Sequence, residues 1–215
     1  MGAAVAKDGA QRQRTYRGAS PEQRQSERRD RLLGSALELY GTAGYANVSI
    51  QALCRHSGVT ARHFYEAFDS RDQVLEELHD RIVAEAAALV VGALDGVEPT
   101  DPTALSRAGL HAFYTSMLGD PRRARIAMIE VMGLPAENAL ACVDQFGAII
   151  EAYAVQLEAA GLVRLPSVHL TAVILAGAVR QLMVDWLTAR DRAPIEELVD
   201  VTTDLFATVG GFAAP

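Results

Sequence analysis

Residues 49–71 read SIQALCRHSGVTARHFYEAFDSR, and this stretch decides how the rest of the chain is organised. It describes two short helices broken by a tight turn. Ser49 can cap the first, since its hydroxyl can accept from an otherwise unpaired amide, and Ile50, Leu53 and Cys54 then fall at i, i+3 and i+4 on one inward face. Gly58 supplies the turn, because a residue with no β-carbon adopts positive φ without strain. Val59 turns inward, Thr60 caps the second helix, and that helix sends Phe64 and Phe68 to the core. A bracing helix, a turn and a second, outward helix make up the helix-turn-helix, whose second helix lies in the DNA major groove.

The outward side of the second helix carries Ala61, Arg62, His63, Tyr65 and Glu66. Arg62 is the base-reading candidate, because a guanidinium bonds bidentately to guanine and discriminates by roughly 1–3 kcal/mol. Ser49, Thr60, His63, Tyr65 and Arg71 suit phosphates, since hydroxyls and a flanking cation fix register without reading sequence. Gln51, near the start of the bracing helix, can reach either, and Ala61 completes the contact surface.

The run from Arg28 to Leu78 resembles the DNA-binding domain of TetR-family regulators, the tetracycline-repressor-like transcription factors. The pattern consists of Gly44 ending a helix, Ser49 capping the next, Gly58-Val59 at the turn, the aromatic pair Phe64-Tyr65, then Phe68, Ser70 and Arg71 opening a long helix. These elements occur in order at the family's spacing over roughly a quarter of the chain. Two departures stand out. Cys54 occupies a place where the family often has Ala, and Arg62-His63-Phe64-Tyr65 replaces a frequent Gly-Thr-Leu-Tyr, so the DNA-contact pattern differs from that of the commonest members. The blander reading of the stretch is an ordinary helical hairpin with a glycine turn, in which His63 is a solvated surface residue and Cys54 a small buried apolar one.

Composition bounds the remaining possibilities. A chain of 215 residues, half of them hydrophobic, accommodates one or two domains with a sizeable core. The net charge of −7 is unevenly spread: residues 1–71 hold 11 Lys and Arg against 7 Asp and Glu, and the remainder holds 9 against 20. A basic end on an acidic body predicts local, salt-sensitive DNA contact. Cys54 and Cys142 form neither a disulfide framework nor, with His, a metal motif, so the expectation is a reducing cytosol and no metal or cofactor. The N-terminus lacks a signal-peptide run, and the apolar stretch Leu165 to Val179, bounded by Arg164 and Arg180, reads as too short to span a bilayer.

In chain order, residues 1–20 are expected to form a flexible basic arm whose Arg12, Arg14 and Arg17 could enter a minor groove. Residues 21–70 are the helix-turn-helix domain, opening with a Ser20-capped helix that has Pro21 at its first position and Leu33, Ala36, Leu37 and Tyr40 inward. Residues 71–215 form a helical effector-binding and dimerisation domain. Its first helix, Arg71 to Leu94, spans on the order of 35 Å at about 1.5 Å per residue and could carry a signal to the head; a shift of this helix on ligand binding is implied by the resemblance. Further helices are predicted over Thr103–Leu118, Arg122–Met132, Glu137–Ala160, Ser167–Arg190 and Ile195–Val209, separated by Gly/Pro-rich breaks.

The last two helices are apolar all round, with Val168, Ala172, Leu175, Ala176, Val179, Met183, Leu187, Leu198, Leu205 and Phe206, and are expected to make a homodimer through a four-helix bundle. A two-fold dimer presents its reading helices about 34–36 Å apart to a palindromic operator. For an unidentified small-molecule effector, Met and aromatic side chains can line an adaptable apolar pocket; the candidates are His111, Tyr114, Met117, Met132, Phe146 and Trp186, with Phe113, Met128 and Tyr153 nearby in sequence. Asp185, if buried, would pair with Arg180 or Arg190. The reading is an all-α, ligand-responsive repressor of double-stranded DNA. The alternatives are a helical interaction module without DNA binding, or an enzyme, for which no catalytic motif is present.

Overall fold

The computed structural model describes residues 20–211, and among these every regular element is helical. The basic arm expected over residues 1–20 lies, apart from Ser20, outside the described residues. Helix α1 (Pro21–Ala43) begins in a full capping box: the Ser20 hydroxyl accepts from Gln23 N while the Gln23 side chain accepts from Ser20 N. It ends at Gly44, followed by a 3-10 turn at Tyr45–Asn47 that the sequence reading lacked. Helices α2 (Ile50–Ser57) and α3 (Ala61–Tyr65) follow, and α4 (Arg71–Leu94) opens on a Ser70 cap. Beyond it come α5 (Pro102–Leu118), α6 (Pro121–Met128), α7 (Ala136–Ala159), α8 (Val168–Thr188) and α9 (Ile195–Gly210).

One predicted helix is shorter than expected. Arg122–Met132 breaks after Met128 into a 3-10 turn at Glu130–Gly133, because Ile129 swings to φ −119° and frees Glu130 for other work. Its carboxylate accepts from Arg125 Nε at 2.7 Å and from Tyr45 N at 2.6 Å. A contact 85 residues apart outweighs the local preference to continue the helix.

A continuous core runs from Leu32, Leu53 and Phe64 through Leu75 and Ile82 on α4 to Met117, Ile126 and Met183. Helix α1 lies on α6 so closely that a β-carbon on Gly41 would stand 2.5 Å from Arg122 Cβ. The Arg122 guanidinium reaches back to Glu38 and is also held by Asp120. The head is therefore joined to the body along α6 as well as through α4.

Two expectations about the apolar helices change. Helix α8 runs through Arg180 as predicted and ends at Thr188, longer than the uncharged stretch Leu165 to Val179, with the Arg180 Nη2 donating to Met128 O at 2.9 Å. By length and composition, α7 and α8 are both long and apolar enough to cross a membrane. The residues named for dimerisation mostly face inward: Ala172, Leu175, Val179 and Met183 of α8 and Leu198 and Phe206 of α9 are buried within the one chain. What α8 leaves exposed is a different face, Leu170, Val173 and Ile174; on α9, Val201 is exposed.

Candidate nucleic-acid interface

The hairpin is built by its caps. Ser49 Oγ accepts from Ala52 N at 3.2 Å, and Thr60 Oγ1 accepts from His63 N at 3.4 Å. Gly58 turns the chain at φ 66°, ψ 23°, the left-handed region closed to most side chains. Beneath the turn, Leu53, Val59, Phe64 and Phe68 are buried, so α3 is pinned from one side only. Its other side is open. Arg62 has 87 % of its side chain exposed, and Ala61, Tyr65, Thr60, Ser49 and Gln51 are exposed beside it.

These residues share one surface, but two candidates are differently employed. His63 is half-buried, with Nδ1 3.1 Å from Thr60 Oγ1 and Nε2 3.9 Å from Glu66 Oε2, so its ring closes on the hairpin's own cap. Arg71 does not project to the surface. Its Nη1 donates to Val48 O at 2.6 Å and to Tyr45 O at 3.2 Å, and its guanidinium lies 4.3 Å from the Tyr45 ring centroid. Carbonyls and a ring at the end of the 3-10 turn have taken the place of the expected phosphate. The Tyr45 hydroxyl in turn donates to Asp72, and burial together with that bond pushes the phenol pKa up to about 12.

A support that sequence reading missed stands at the other end of α3. Arg29 on α1 donates to Ala67 O and to both Glu77 oxygens, and its guanidinium lies 4.2 Å over the Phe68 ring. The bond to Glu77 raises its pKa further above the ordinary arginine value. Arg29 lies in the basic run Arg28-Arg29-Asp30-Arg31, which signals a solvated face; its partner is 48 residues away.

In the body, an apolar cavity of about 80 Å³ lies among α4, α5, α7, α8 and α9. Val90, Leu110, Phe113, Phe146, Ile150 and Phe206 supply most of its wall. Two polar side chains line it, Ser106 and Tyr153; burial pushes the Tyr153 phenol up to about 12, with the neighbouring Ser106 hydroxyl pulling it part of the way back. Of the six ligand-lining candidates Phe146 is on this wall, as are Phe113 and Tyr153, which the sequence offered beside them. His111 is on the exposed side of α5, and Met132 is 52 % exposed on the 3-10 turn. Tyr114 and Met117 are fully buried one turn away from it, with the Tyr114 hydroxyl 2.9 Å from Thr202 Oγ1. Trp186 donates to Ala193 O at 2.8 Å and edges a separate hollow with Asp185, which is exposed. The aromatic and Met signal marked the core, whereas the cavity is walled mainly by aliphatic residues indistinguishable in sequence from core. Among the described residues, no three of His, Cys, Asp and Glu gather as a metal-holding group.

Residues 32–78 match the family model for bacterial regulatory proteins of the tetR family. A curated relative, the HTH-type transcriptional regulator EthR of Mycolicibacterium smegmatis, is 30% identical over 117 residues, covering 54% of this chain and 54% of that protein; the matched stretch spans about half the length of the relative. Among solved structures, a TetR-family regulator from Syntrophomonas wolfei superposes with a TM-score of 0.75 at 16% identity over 88% of this chain and 97% of its own. The transcriptional regulator FadR of Bacillus subtilis, solved with stearoyl-CoA, gives 0.73 at 13% over 86% and 99%. At these identities the structural likeness speaks to the fold, and the sequence match to the head. Residues 32–78 are thus a tetR-family head by sequence, and the described chain shares the fold of tetR-family structures.

Proposed function

We propose that this protein is a DNA-binding transcriptional repressor that acts as a homodimer and releases a palindromic operator when a small, largely apolar molecule fills its body. The observation that carries the reading is α3: buried by Phe64 on one side, it offers Ala61, Arg62 and Tyr65 to solvent on the other. Arg62 reads a base, and the hydroxyls of Ser49, Thr60 and Tyr65, with Gln51, bind backbone. His63 orders the cap. Arg71 has an internal role. The division into a head over residues 21–70 and a body from 71 onward follows the start of α4.

The dimer face is the exposed side of α8 made by Leu170, Val173 and Ile174, whose burial in a two-fold interface would offset the cost of exposing it. The effector site is the apolar cavity. No charged side chain is among its lining residues, and the Ser106 and Tyr153 hydroxyls on its wall suit one polar group on an otherwise apolar, neutral guest. Because Val90 on α4 forms part of the wall, filling the cavity bears on the helix that leads to the head. EthR and FadR support the reading as relative and fold neighbour respectively.

The test is selection of bound fragments from randomised duplex DNA, followed by mobility shift with the winner. A palindrome bound by a dimer is expected, with affinity falling steeply as salt rises. Failure to enrich any sequence would overturn the proposal.

A further inference from the structure

Two side chains of the reading hairpin share one carboxylate. Glu66 Oε1 takes Arg62 Nε at 3.2 Å, while Glu66 Oε2 stands 3.9 Å from His63 Nε2. The opposite ring nitrogen, Nδ1, lies 3.1 Å from Thr60 Oγ1, the oxygen that accepts from His63 N and caps α3. The ring therefore bridges the cap and the carboxylate, and its proton count sets the direction of both contacts. Facing Glu66, neutral His63 carries its one hydrogen on Nε2, which leaves Nδ1 as an acceptor and turns the Thr60 O–H inward to donate to it. A second proton occupies Nδ1. Thr60 Oγ1 then accepts there with its second lone pair, and its own hydrogen swings out to solvent. The same proton makes the Nε2 contact an ion pair with Glu66, in competition with Arg62.

We propose that His63 is a positioning residue for DNA recognition. Its protonation draws Glu66 off Arg62, turns the Thr60 hydroxyl outward and adds a positive charge beside the approaching phosphates, so operator affinity and selectivity rise as pH falls. The inference rests on the reading of α3 as the DNA-reading helix. Imidazole is the side chain whose charge changes between about pH 5 and 8, and binding that takes up a proton strengthens as pH falls. The His63 side chain is 41 % exposed, open enough to meet a phosphate. Among the described residues, Glu66 is the one carboxylate within ion-pair distance of the ring. Of the charged groups on the neighbouring helices, Arg55 and His56 end α2, His56 Nδ1 lies 3.0 Å from Ser35 Oγ on α1, and Arg29 of α1 is tied to Glu77.

Fluorescence anisotropy with the selected operator and with an unrelated duplex, at pH 6.0 and 8.0 and fixed ionic strength, tests it. Wild type should bind the operator about tenfold tighter at the lower pH, about threefold from each half-site of the dimer, which is the scale of an exposed ion pair. The unrelated duplex offers Arg62 no matching base and should gain less. His63→Gln should cut the operator's gain to about twofold or less with the melting temperature retained. His56→Gln, the control at the other imidazole of the hairpin, should keep it. Nitrogen NMR of the free chain supplies a readout without DNA: the neutral His63 ring should carry its proton on Nε2. A flat wild-type profile, a profile unchanged in His63→Gln, or a neutral ring protonated on Nδ1 overturns the proposal. A tight operator with a flat profile leaves the repressor reading standing; if no duplex is enriched, both fall.

Discussion

Arg62 Nε lies 3.2 Å from Glu66 Oε1, one turn further along the exposed side of the reading hairpin. The pair is open to solvent, and such pairs contribute roughly 0–1 kcal/mol. Its effect is therefore less on folding than on availability: in the free protein Glu66 holds the guanidinium back and sets a negative charge where phosphates would approach. Glu66→Gln should raise operator affinity a few-fold and flatten nothing in the sequence preference. Arg62→Ala should lower affinity by about 1–3 kcal/mol and relax one base position. Mobility shifts with single-base operator variants separate the two, and equal behaviour of wild type and Arg62→Ala at every position would remove Arg62 from the reading role.

Arg71 makes a contrasting case, since its Nη1 is committed to Val48 O and Tyr45 O. Hydrogen bonds to a charged group contribute about 1.5–3 kcal/mol each, and truncation strands two carbonyls in a half-buried corner. Arg71→Ala should cost about 2 kcal/mol or more in urea unfolding. Arg71→Lys should recover little, because an ammonium cannot serve two carbonyls and stack on Tyr45 at once. Below the melting temperature the salt slope of DNA binding should stay as in wild type; a slope reduced by about one would place Arg71 on a phosphate after all.

The difference between these two arginines shows what a sequence can carry. The hairpin was legible because its signals are local: Ser49 and Thr60 three residues before the amides they cap, Gly58 at the turn, Phe64 and Phe68 one turn apart. Helix bounds followed from Pro and Gly breaks for the same reason. The uses of Arg71, Arg29 and Glu130 were not legible, since their partners lie 23, 48 and 85 residues away and no spacing rule links them. The cavity escaped for another reason. Aliphatic residues have no sign that separates lining from packing, so the aromatic and Met residues drew attention while Val90, Leu110 and Ile150 formed the wall. Likewise α8 is apolar on nearly all sides, and which side faces out is set by its packing against α7.

His79 gives the fold an acid limit. Burial holds the imidazole pKa below its ordinary 6.5, with neighbouring Asp80 pulling it part of the way back. Arg180, Asp144, Glu151, His169 and Cys142 are the other titratable or charged groups on the groove that it borders between α4, α6, α7 and α8. As pH falls, the unfolded chain takes up this proton before the folded one does. The contribution of neutral His79 is thus complete above about 6.5 and declines as pH drops below that value, levelling only beneath the depressed folded pKa. Urea midpoints measured from pH 7.5 to 5.5 should fall for wild type and fall less for His79→Gln. Parallel curves would show that His79 titrates alike in both states.

The cavity makes the last prediction, because Ile150 borders both it and the smaller apolar hollow continuous with it. A neutral guest that binds only the folded state stabilises it by RT ln(1 + [L]/Kd), about 2.7 kcal/mol at a hundredfold excess over Kd. Octan-1-ol should therefore raise the melting temperature of wild type. Ile150→Trp fills the space from its half-buried edge and should abolish that rise while leaving operator affinity within a few-fold, since no DNA-facing residue touches the cavity. Tyr153→Phe should be milder, removing one hydrogen bond of about 0.5–1.5 kcal/mol and weakening the alcohol roughly three- to tenfold. If Ile150→Trp responds to the alcohol as wild type does, the guest lies elsewhere; if it also loses DNA, the cavity and the reading head share more than the α4 wall that Val90 provides.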